Sequence, residues 1–388
     1  MTNTIIGTAA SDNISGDTNT SDLNDSIEAL DGFDTVFGLS GNDSIFGGNG
    51  DDFIVPGAGD DFVDGGTGFD YVYWDGGPGP VVASLAKGKA SGWGKDTFVN
   101  CEGLVGGIYD DKLVGDGGDN GLAGLEGNDT LNGAAGLDYA YYNFATLPVT
   151  VDLGAGTTAG SQGVDVLISI ENAMGGFGND VLIGSNGANV LWGQDGNDTQ
   201  TGNGGADQLT GEAGNDRLEG GNGADSLFAG LDDDLLKGGA HNDYLAGDAG
   251  ADRLEGGAGL DYLWGADGAD TVTGGYGGGD TLNGGLDADR FLFLNADVGP
   301  GWADTWIFDF LTAEGDEINF ANIDANADKA GNQAFKVVGT LTKAGQMTMV
   351  YDSVANSTRI EAQTDADPAV DFSVVVIGDV TGGTGIVL

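Results

Sequence analysis

Residues 193–273 read GQDGNDTQT, GNGGADQLT, GEAGNDRLE, GGNGADSLF, AGLDDDLLK, GGAHNDYLA, GDAGADRLE, GGAGLDYLW and GADGADTVT, nine residues at a time. Each line has an aspartate at its sixth place: Asp198, Asp207, Asp216, Asp225, Asp234, Asp243, Asp252, Asp261 and Asp270. Two residues on stand Gln200, Leu209, Leu218, Leu227, Leu236, Leu245, Leu254, Leu263 and Val272, apolar in all but the first. A nine-residue carboxylate period follows no helix face, and glycine at this density weakens any helix. The pattern suits a chain that turns, runs briefly extended and turns again. Its form, G-G-x-G-x-D-x-U-x, marks a parallel β-helix repeat.

Two nonamers make one coil of eighteen residues, with six-residue loops and three-residue strands, x-U-x. The apolar U residues of the two sides meet inside. The loops stack in two columns, one holding Asp198, Asp216, Asp234, Asp252 and Asp270, the other Asp207, Asp225, Asp243 and Asp261. Stacked loops lie about 4.8 Å apart. A Ca²⁺ between them meets six to eight oxygens at about 2.3–2.6 Å, from two aspartates and several loop carbonyls. Glycine suits such loops because they require positive φ and leave no room for Cβ. Two aliphatic side chains per coil do not offset the chain entropy of eighteen residues. Ion binding and folding are therefore expected to be one event.

The same register appears in two earlier blocks. The first carries Asp25, Asp34, Asp43, Asp52, Asp61 and Asp70, followed by Ile27, Val36, Ile45, Ile54, Val63 and Val72. The second carries Asp111, Asn120, Asp129 and Asp138; the third begins at Asp180 and Asn189 and, after a one-residue slip, ends at Asp280 and Asp289. The candidate metal ligands are Asp34, Asp43, Asp52, Asp61, Asp70, Asp111, Asp129 and Asp180, then Asp198 to Asp270 as above, and Asp280. Their loop partners are Gly48, Gly50, Gly193, Gly196, Gly202, Gly205, Gly211, Gly214, Gly220, Gly223, Gly256 and Gly259. Asn120 and Asn189 weaken their sites. Tyr109, Asp232, His241 and Asp287 stand where glycine is usual, and Tyr109 marks a defective loop.

Two segments break the period and match one another at an offset of 68, then 69 residues: Leu85 with Leu153, Asp96 with Asp165, Glu102 with Glu171. They alternate apolar and polar residues and read as strands. From Phe291 glycine thins out, and Phe335–Val338, Met347–Val350 and Phe372–Ile377 read as strands of a capping region. The organisation is thus a lead (1–24), block 1 (25–73), insert 1 (74–105), block 2 (106–141), insert 2 (142–174), block 3 (175–292) and a C-terminal β-rich domain (293–388). The fold class is all-β, a parallel β-roll or right-handed β-solenoid.

Acidic residues number 62 against 12 basic, a formal charge of −50 over 388 residues. Nucleic acid and anionic membrane are poor partners for such a chain, and divalent cations are natural ones. With one cysteine, Cys101, no intramolecular disulfide forms. Met1 to Ala10 lacks the features of a Sec signal, and no apolar run is long enough for a membrane span.

These residues resemble the RTX (repeats-in-toxin, hemolysin-type) proteins, secreted by Gram-negative bacteria, with a calcium β-roll. The tail, from Ala288-Asp289-Arg290-Phe291 through Asp304-Thr305, Phe308-Asp309-Phe310, Gly315-Asp316 and Ile323-Asp324-Ala325-Asn326 to Gly331-Asn332-Gln333-Ala334-Phe335, is similar to the C-terminal domain of serralysin-type proteases. That resemblance implies export by a type I secretion apparatus through a C-terminal signal. Gly385-Ile386-Val387-Leu388 has the apolar part of that signal without the adjacent acid. The protease domain is lacking: one histidine, His241, cannot form H-E-x-x-H, and no G-x-S-x-G is present. Cys101 has no histidine neighbour to activate it. The carboxylates themselves read as calcium ligands before catalytic pairs.

One face of block 3 carries Val190/Trp192, Gln208/Thr210, Ser226/Phe228, Tyr244/Ala246 and Tyr262/Trp264. An insert or the C-terminal domain covers it, or it docks a polysaccharide or a surface protein. The sequence thus points to a secreted, non-catalytic protein binding multiple calcium ions, as a cell-surface or matrix component. The alternative is an accessory or polysaccharide-targeting part of an exoenzyme system, resembling the calcium modules of alginate epimerases, or a small polysaccharide-active enzyme.

Overall fold

The computed structural model describes residues 3–16, 24–74, 76–294, 303–323, 336–337, 346–363, 372–377, 380 and 385–387. Of the sequence expectations, 1–2 and 17–23 of the lead, Asp324–Asn326, Gly331–Phe335, Val338 and Leu388 lie outside these residues. The chain is all-β, a parallel β-solenoid. Among the described residues the single helical element is one 3₁₀ turn, Leu85–Lys87, and no helix is long and apolar enough to cross a membrane. The chain divides into two compact units, 1–183 and 184–388.

In the first unit, Asp25–Asp31, Ser44–Asn49 and Phe62–Thr67 stack in parallel on one side, aligning Ile27, Ile45 and Val63. Thr35–Phe37, Phe53–Val55 and Tyr71–Tyr73 stack on the other, aligning Val36, Ile54 and Val72. All six aliphatic side chains are wholly buried. Alternation explains this: in x-U-x the middle side chain points inward and its neighbours outward. The lead joins the roll, with Asn3–Ile6 pairing beside Asp25–Asp31 and Asn13–Ser15 beside Thr35–Phe37.

Each insert stays in the stacked sheet, placing antiparallel strands between two parallel pairings, since Val82–Ser84 also lies parallel to Lys112–Val114 and Val149–Asp152 to Val181–Ile183. Val82–Ser84 pairs antiparallel with Lys89–Ser91, and Thr97–Val99 then lies parallel to Phe62–Thr67. The second copy repeats this: Val149–Asp152 pairs antiparallel with Thr157–Gly160, and Val166–Ile168 lies parallel to Thr130–Asn132.

In the second unit Gln200, Leu218, Leu236, Leu254, Val272 and Phe291 form one inward column. Leu191, Leu209, Leu227, Leu245, Leu263, Leu282 and Ile307 form the other. Gln200, the polar intruder, is buried and gives its Nε2 proton to the Thr210 carbonyl at 2.6 Å. Strands here run six residues, as in Thr199–Gly204, rather than the three read from the pattern. The extension arises because coil-to-coil pairing continues into the loop, with Asn203 opposite Gly221 and Gly204 opposite Asn222. Stacking proceeds past Phe291 through Thr305–Ile307 and Glu317–Asn322. An antiparallel set, Gln346–Asp352, Ser357–Gln363 and Phe372–Ile377, then joins the sheet alongside Thr305–Ile307.

Candidate metal centres

The strand that buries each U side chain also draws the aspartate two residues before it out of solvent. Asp52 is buried in this way beside Ile54. Its Oδ1 accepts the backbone N–H of Asp34, one coil earlier, at 2.9 Å, and its own N–H donates to Asp70 Oδ1 at 2.8 Å. Asp25, Asp43 and Asp61 form the parallel ladder of the unit, at 2.7 and 2.8 Å. In the second unit one ladder climbs from Asp198 through Asp216, Asp234, Asp252, Asp270 and Asp289 to Asp316. The other climbs from Asn189 through Asp207, Asp225, Asp243 and Asp261 to Asp280.

In many of these carboxylates the second oxygen is left over. Oδ2 of Asp34, Asp43, Asp52, Asp61 and Asp70 is buried with no hydrogen-bond partner. So is Oδ2 of Asp129 and Asp138, and of Asp207, Asp216, Asp225, Asp234, Asp243, Asp252, Asp261, Asp270 and Asp289. What they face is more acceptor: a Cβ on Gly202 would touch both Asp207 Oδ2 and the Gly220 carbonyl of the next coil, and Gly256 stands likewise between Asp261 Oδ2 and the Gly274 carbonyl. Gly211 and Gly220 stand likewise between Asp216 Oδ2 and the Ala229 carbonyl and between Asp225 Oδ2 and the Gly238 carbonyl, whereas Gly193 lies against Asp198 Oδ2 and the Gln200 amide. Burial is the main reason these carboxyls bind protons more tightly than usual, only partly offset by the N–H from the preceding coil. Asp61, Asp216 and Asp252 are pushed up to about 7 and Asp234 to about 8.

A buried carboxylate oxygen facing a carbonyl, without a donor between them, is a position that a hard cation completes. The donor set is oxygen alone, without sulfur or imidazole, which fits calcium. Among the described residues no three Asp, Glu, His or Cys side chains converge. Loop carbonyls must therefore supply most of the shell, with the aspartates in stacked loops supplying its charge. A bound ion would neutralise that charge and tie one coil to the next.

Backbone conformation four residues before the aspartate separates two kinds of loop. In the open loops that residue has positive φ: Gly48 (+114°) before Asp52, Leu39 (+73°) before Asp43, Glu212 (+86°) before Asp216, Gly221 (+108°) before Asp225. The residue two before is turned the same way, as at Gly50, Gly196, Gly205, Gly214 and Gly223. Asp232, His241 and Asp287 adopt this conformation at 75°, 84° and 75°. Gly259 lies where a Cβ would collide with the His241 carbonyl.

Besides the Thr8–Asp12 loop of the lead, whose Thr8 N–H donates to Asp12 Oδ2, four repeat loops instead close on themselves. Gly107 N–H donates to Asp111 Oδ2 at 2.6 Å and Gly176 N–H to Asp180 Oδ2 at 2.6 Å. Asp116 N–H donates to Asn120 Oδ1, and Ser185 N–H to Asn189 Oδ1. None of these four donors has positive φ, and neither does Tyr109. Asp111 and Asp180, read from the sequence as ligands, thus have both oxygens engaged, since Val81 and Val149 N–H bind their Oδ1.

Asp280 keeps its ladder contact at 3.1 Å across the slip, which Gly277, Gly278 and Gly279 absorb with positive φ. Asp138 and Asp289 are open positions absent from the ligand set read from the sequence, although both sit in its nine-residue register. Cys101 is buried, and that burial pushes its thiol up to about 12, away from reactivity.

The family model described as Peptidase M10 serralysin C terminal matches residues 123–388. The model of the RTX calcium-binding nonapeptide repeat (4 copies) matches residues 19–54, 56–73 and 105–140. No curated protein matches the chain. Among solved structures, the AlgE6R2 subunit of the Azotobacter vinelandii mannuronan C5-epimerase is 20% identical, over 39% of this chain and 89% of that one, with a TM-score of 0.30. The AlgE6R3 subunit of the same epimerase is 26% identical, over 40% of this chain and 78% of that one, with a TM-score of 0.20.

Proposed function

Since the chain belongs to the Peptidase M10 serralysin C-terminal family and carries RTX calcium-binding repeats, we propose that it is a secreted, non-catalytic protein whose roll folds as calcium binds. It is exported by a type I apparatus and serves as a cell-surface or matrix component. The observation that carries the calcium part is the row of buried Oδ2 atoms without donors, stacked from coil to coil. RTX and serralysin-type domains are typical of secreted proteins, which supports the location. The non-catalytic reading draws support from the single histidine: His241 sits in a repeat loop, its Nδ1 2.8 Å from the Ala240 carbonyl.

A second reading, polysaccharide targeting, draws on the outer face of the second unit. Trp192, Tyr262 and Trp264 are 37–40% exposed there, and Tyr244 stacks on Tyr262 at 5.3 Å. Trp192→Ala with Trp264→Ala abolishes glycan binding and leaves the calcium-loaded fold intact if this reading holds. Loss of the fold alone counts against it.

Far-ultraviolet circular dichroism of the full chain tests the first reading, with Ca²⁺, EGTA and a Mg²⁺ control. The expected result is a cooperative, reversible gain of β-structure with calcium alone, at about 10⁻⁴–10⁻³ M. A spectrum unchanged between EGTA and calcium overturns it.

A further inference from the structure

Four rungs of the first unit's ladders are occupied by insert residues: Glu102 and Glu171 accept the N–H of Asp70 and Asp138, and Asp96 and Asp165 fill the other two. Asp61 N–H donates to Asp96 Oδ1 at 3.2 Å, a separation of 35 residues, and Asp129 N–H donates to Asp165 Oδ1 at 2.9 Å, a separation of 36. From one repeat-loop Asp or Asn to the next within a block, each step spans 18. The inserts therefore leave the column after Asp61 and Asp129 and re-enter it one rung higher.

The second oxygen of each returning aspartate is satisfied by the chain. Trp74 Nε1 donates to Asp96 Oδ2 at 2.9 Å, and the Tyr142 hydroxyl donates to Asp165 Oδ2 at 2.7 Å. Trp74 and Tyr142 hold matching places in the two inserts: Trp74 N–H binds the Val105 carbonyl, and Tyr142 N–H binds that of Met174. Each aromatic thus brings a partial positive charge to the oxygen that elsewhere faces carbonyls. The loops after the inserts complete the pattern, because Asp111, Asn120 and Asp180 are the closed ones.

The core thickens over the same stretch. Trp74, Phe98 and Tyr142 are buried together with Val81, Leu85, Val149 and Val151, whereas a repeat coil buries one Ile, Val or Leu per strand. Outside the roll, Val105, Ala123 and Leu125 are buried under Phe53, Tyr71, Tyr73 and Tyr141. Hydrophobic burial of this size supplies what the thin coils lack.

We propose that calcium is confined to the open loops, and that Trp74 with the segment from Val81 to Ile183 is an ion-independent folded segment of the first unit. In it Trp74 and Tyr142 replace two ions, and of its carboxylates only Asp129 and Asp138 retain a buried oxygen without a partner. The proposal rests on the calcium reading of the open loops.

Hydrogen–deuterium exchange of the full chain, in EGTA and in saturating calcium, tests it. Strands Val82–Ser84, Lys112–Val114, Val149–Asp152 and Val181–Ile183 stay protected in EGTA. Strands Ser44–Asn49 and Leu235–Ala240 exchange freely there and slow by roughly a hundredfold or more with calcium. If the insert strands gain protection in step with the repeats, the proposal fails while the calcium reading stands. If calcium changes exchange nowhere, both fail. The number of bound ions gives a second readout. Asp111→Asn and Asp180→Asn leave it unchanged at saturating calcium, and Asp52→Asn and Asp216→Asn lower it. A drop with Asp111→Asn or Asp180→Asn overturns the assignment.

Discussion

The Tyr142 hydroxyl donates to Asp165 Oδ2 at 2.7 Å, and this single bond stands where the neighbouring coils present an unpartnered oxygen. Tyr142→Phe keeps the ring and removes the donor. The Asp165 carboxylate is then buried without it, at a cost of about 1–3 kcal/mol. The expected outcome is a lower thermal midpoint in EGTA, with no change in the number of calcium ions bound. An unaltered midpoint would mean that the carboxylate has another way to be satisfied.

Core and cage are separable within one coil of the second unit. Asp234→Ala removes the acceptor for Asp216 N–H, a 2.6 Å bond, together with one unpartnered oxygen. It should lower the number of ions bound and raise the calcium needed for folding. Leu236→Ala empties a wholly buried site two residues away and costs about 2–5 kcal/mol. Once calcium saturates, it should leave the ion count unchanged. Equilibrium dialysis beside thermal melting distinguishes the two.

Gly50 has φ of +125°, and a Cβ there would collide with the Gly32 carbonyl of the preceding coil. At the same place in other loops Asp232, His241 and Asp287 carry side chains only by closing φ to 75–84°. A β-branched residue does not enter that region cheaply. Gly50→Val is therefore expected to cost about 1–3 kcal/mol, and Gly50→Asn markedly less. The calcium midpoint in circular dichroism ranks the three.

Acid should act in opposite directions with and without calcium. Within the ion-independent segment, burial raises the carboxyl of Asp129 to about 8, against about 4 in an unfolded chain. The ion-free fold therefore holds more protons than the unfolded chain between these values. That stability is fully present below pH about 4 and is lost as pH rises through about 8. With calcium bound the carboxylates must be ionised, so protons compete with the ion. Thermal midpoints between pH 5 and pH 8 should fall with rising pH in EGTA and rise in saturating calcium. Parallel slopes would refute the argument.

Much of this is legible in the sequence alone. The nine-residue register of Asp198 to Asp270 is enough to specify an all-β parallel roll with two columns of loops. The 68-residue offset between Leu85 and Leu153 marks the duplicated insert. The open or closed state of a loop was not legible, because it turns on one backbone angle that residue type does not dictate. Gly48 and Gly107 are both glycine, yet only the first has positive φ, while Leu39 adopts it as well. Nor could the donors to Asp96 and Asp165 be foreseen. Trp74 and Tyr142 lie 22 and 23 residues earlier in the chain and meet them only after the inserts fold back.

The eighteen-residue spacing of the ladder also sets which changes of length this chain can survive. Losing or gaining eighteen residues within Asp198 to Asp270 removes or adds one whole turn and leaves every remaining aspartate opposite its partner. Nine residues exchange the two columns, transferring the outward side chains of one face, such as Arg217 and Glu219, to the face of Trp192 and Trp264. A single added residue breaks alignment unless glycines take it up, as Gly277 to Gly279 do before Asp280. Growth by unequal crossing-over is thus quantised, and the roll can lengthen turn by turn without any redesign of its loops.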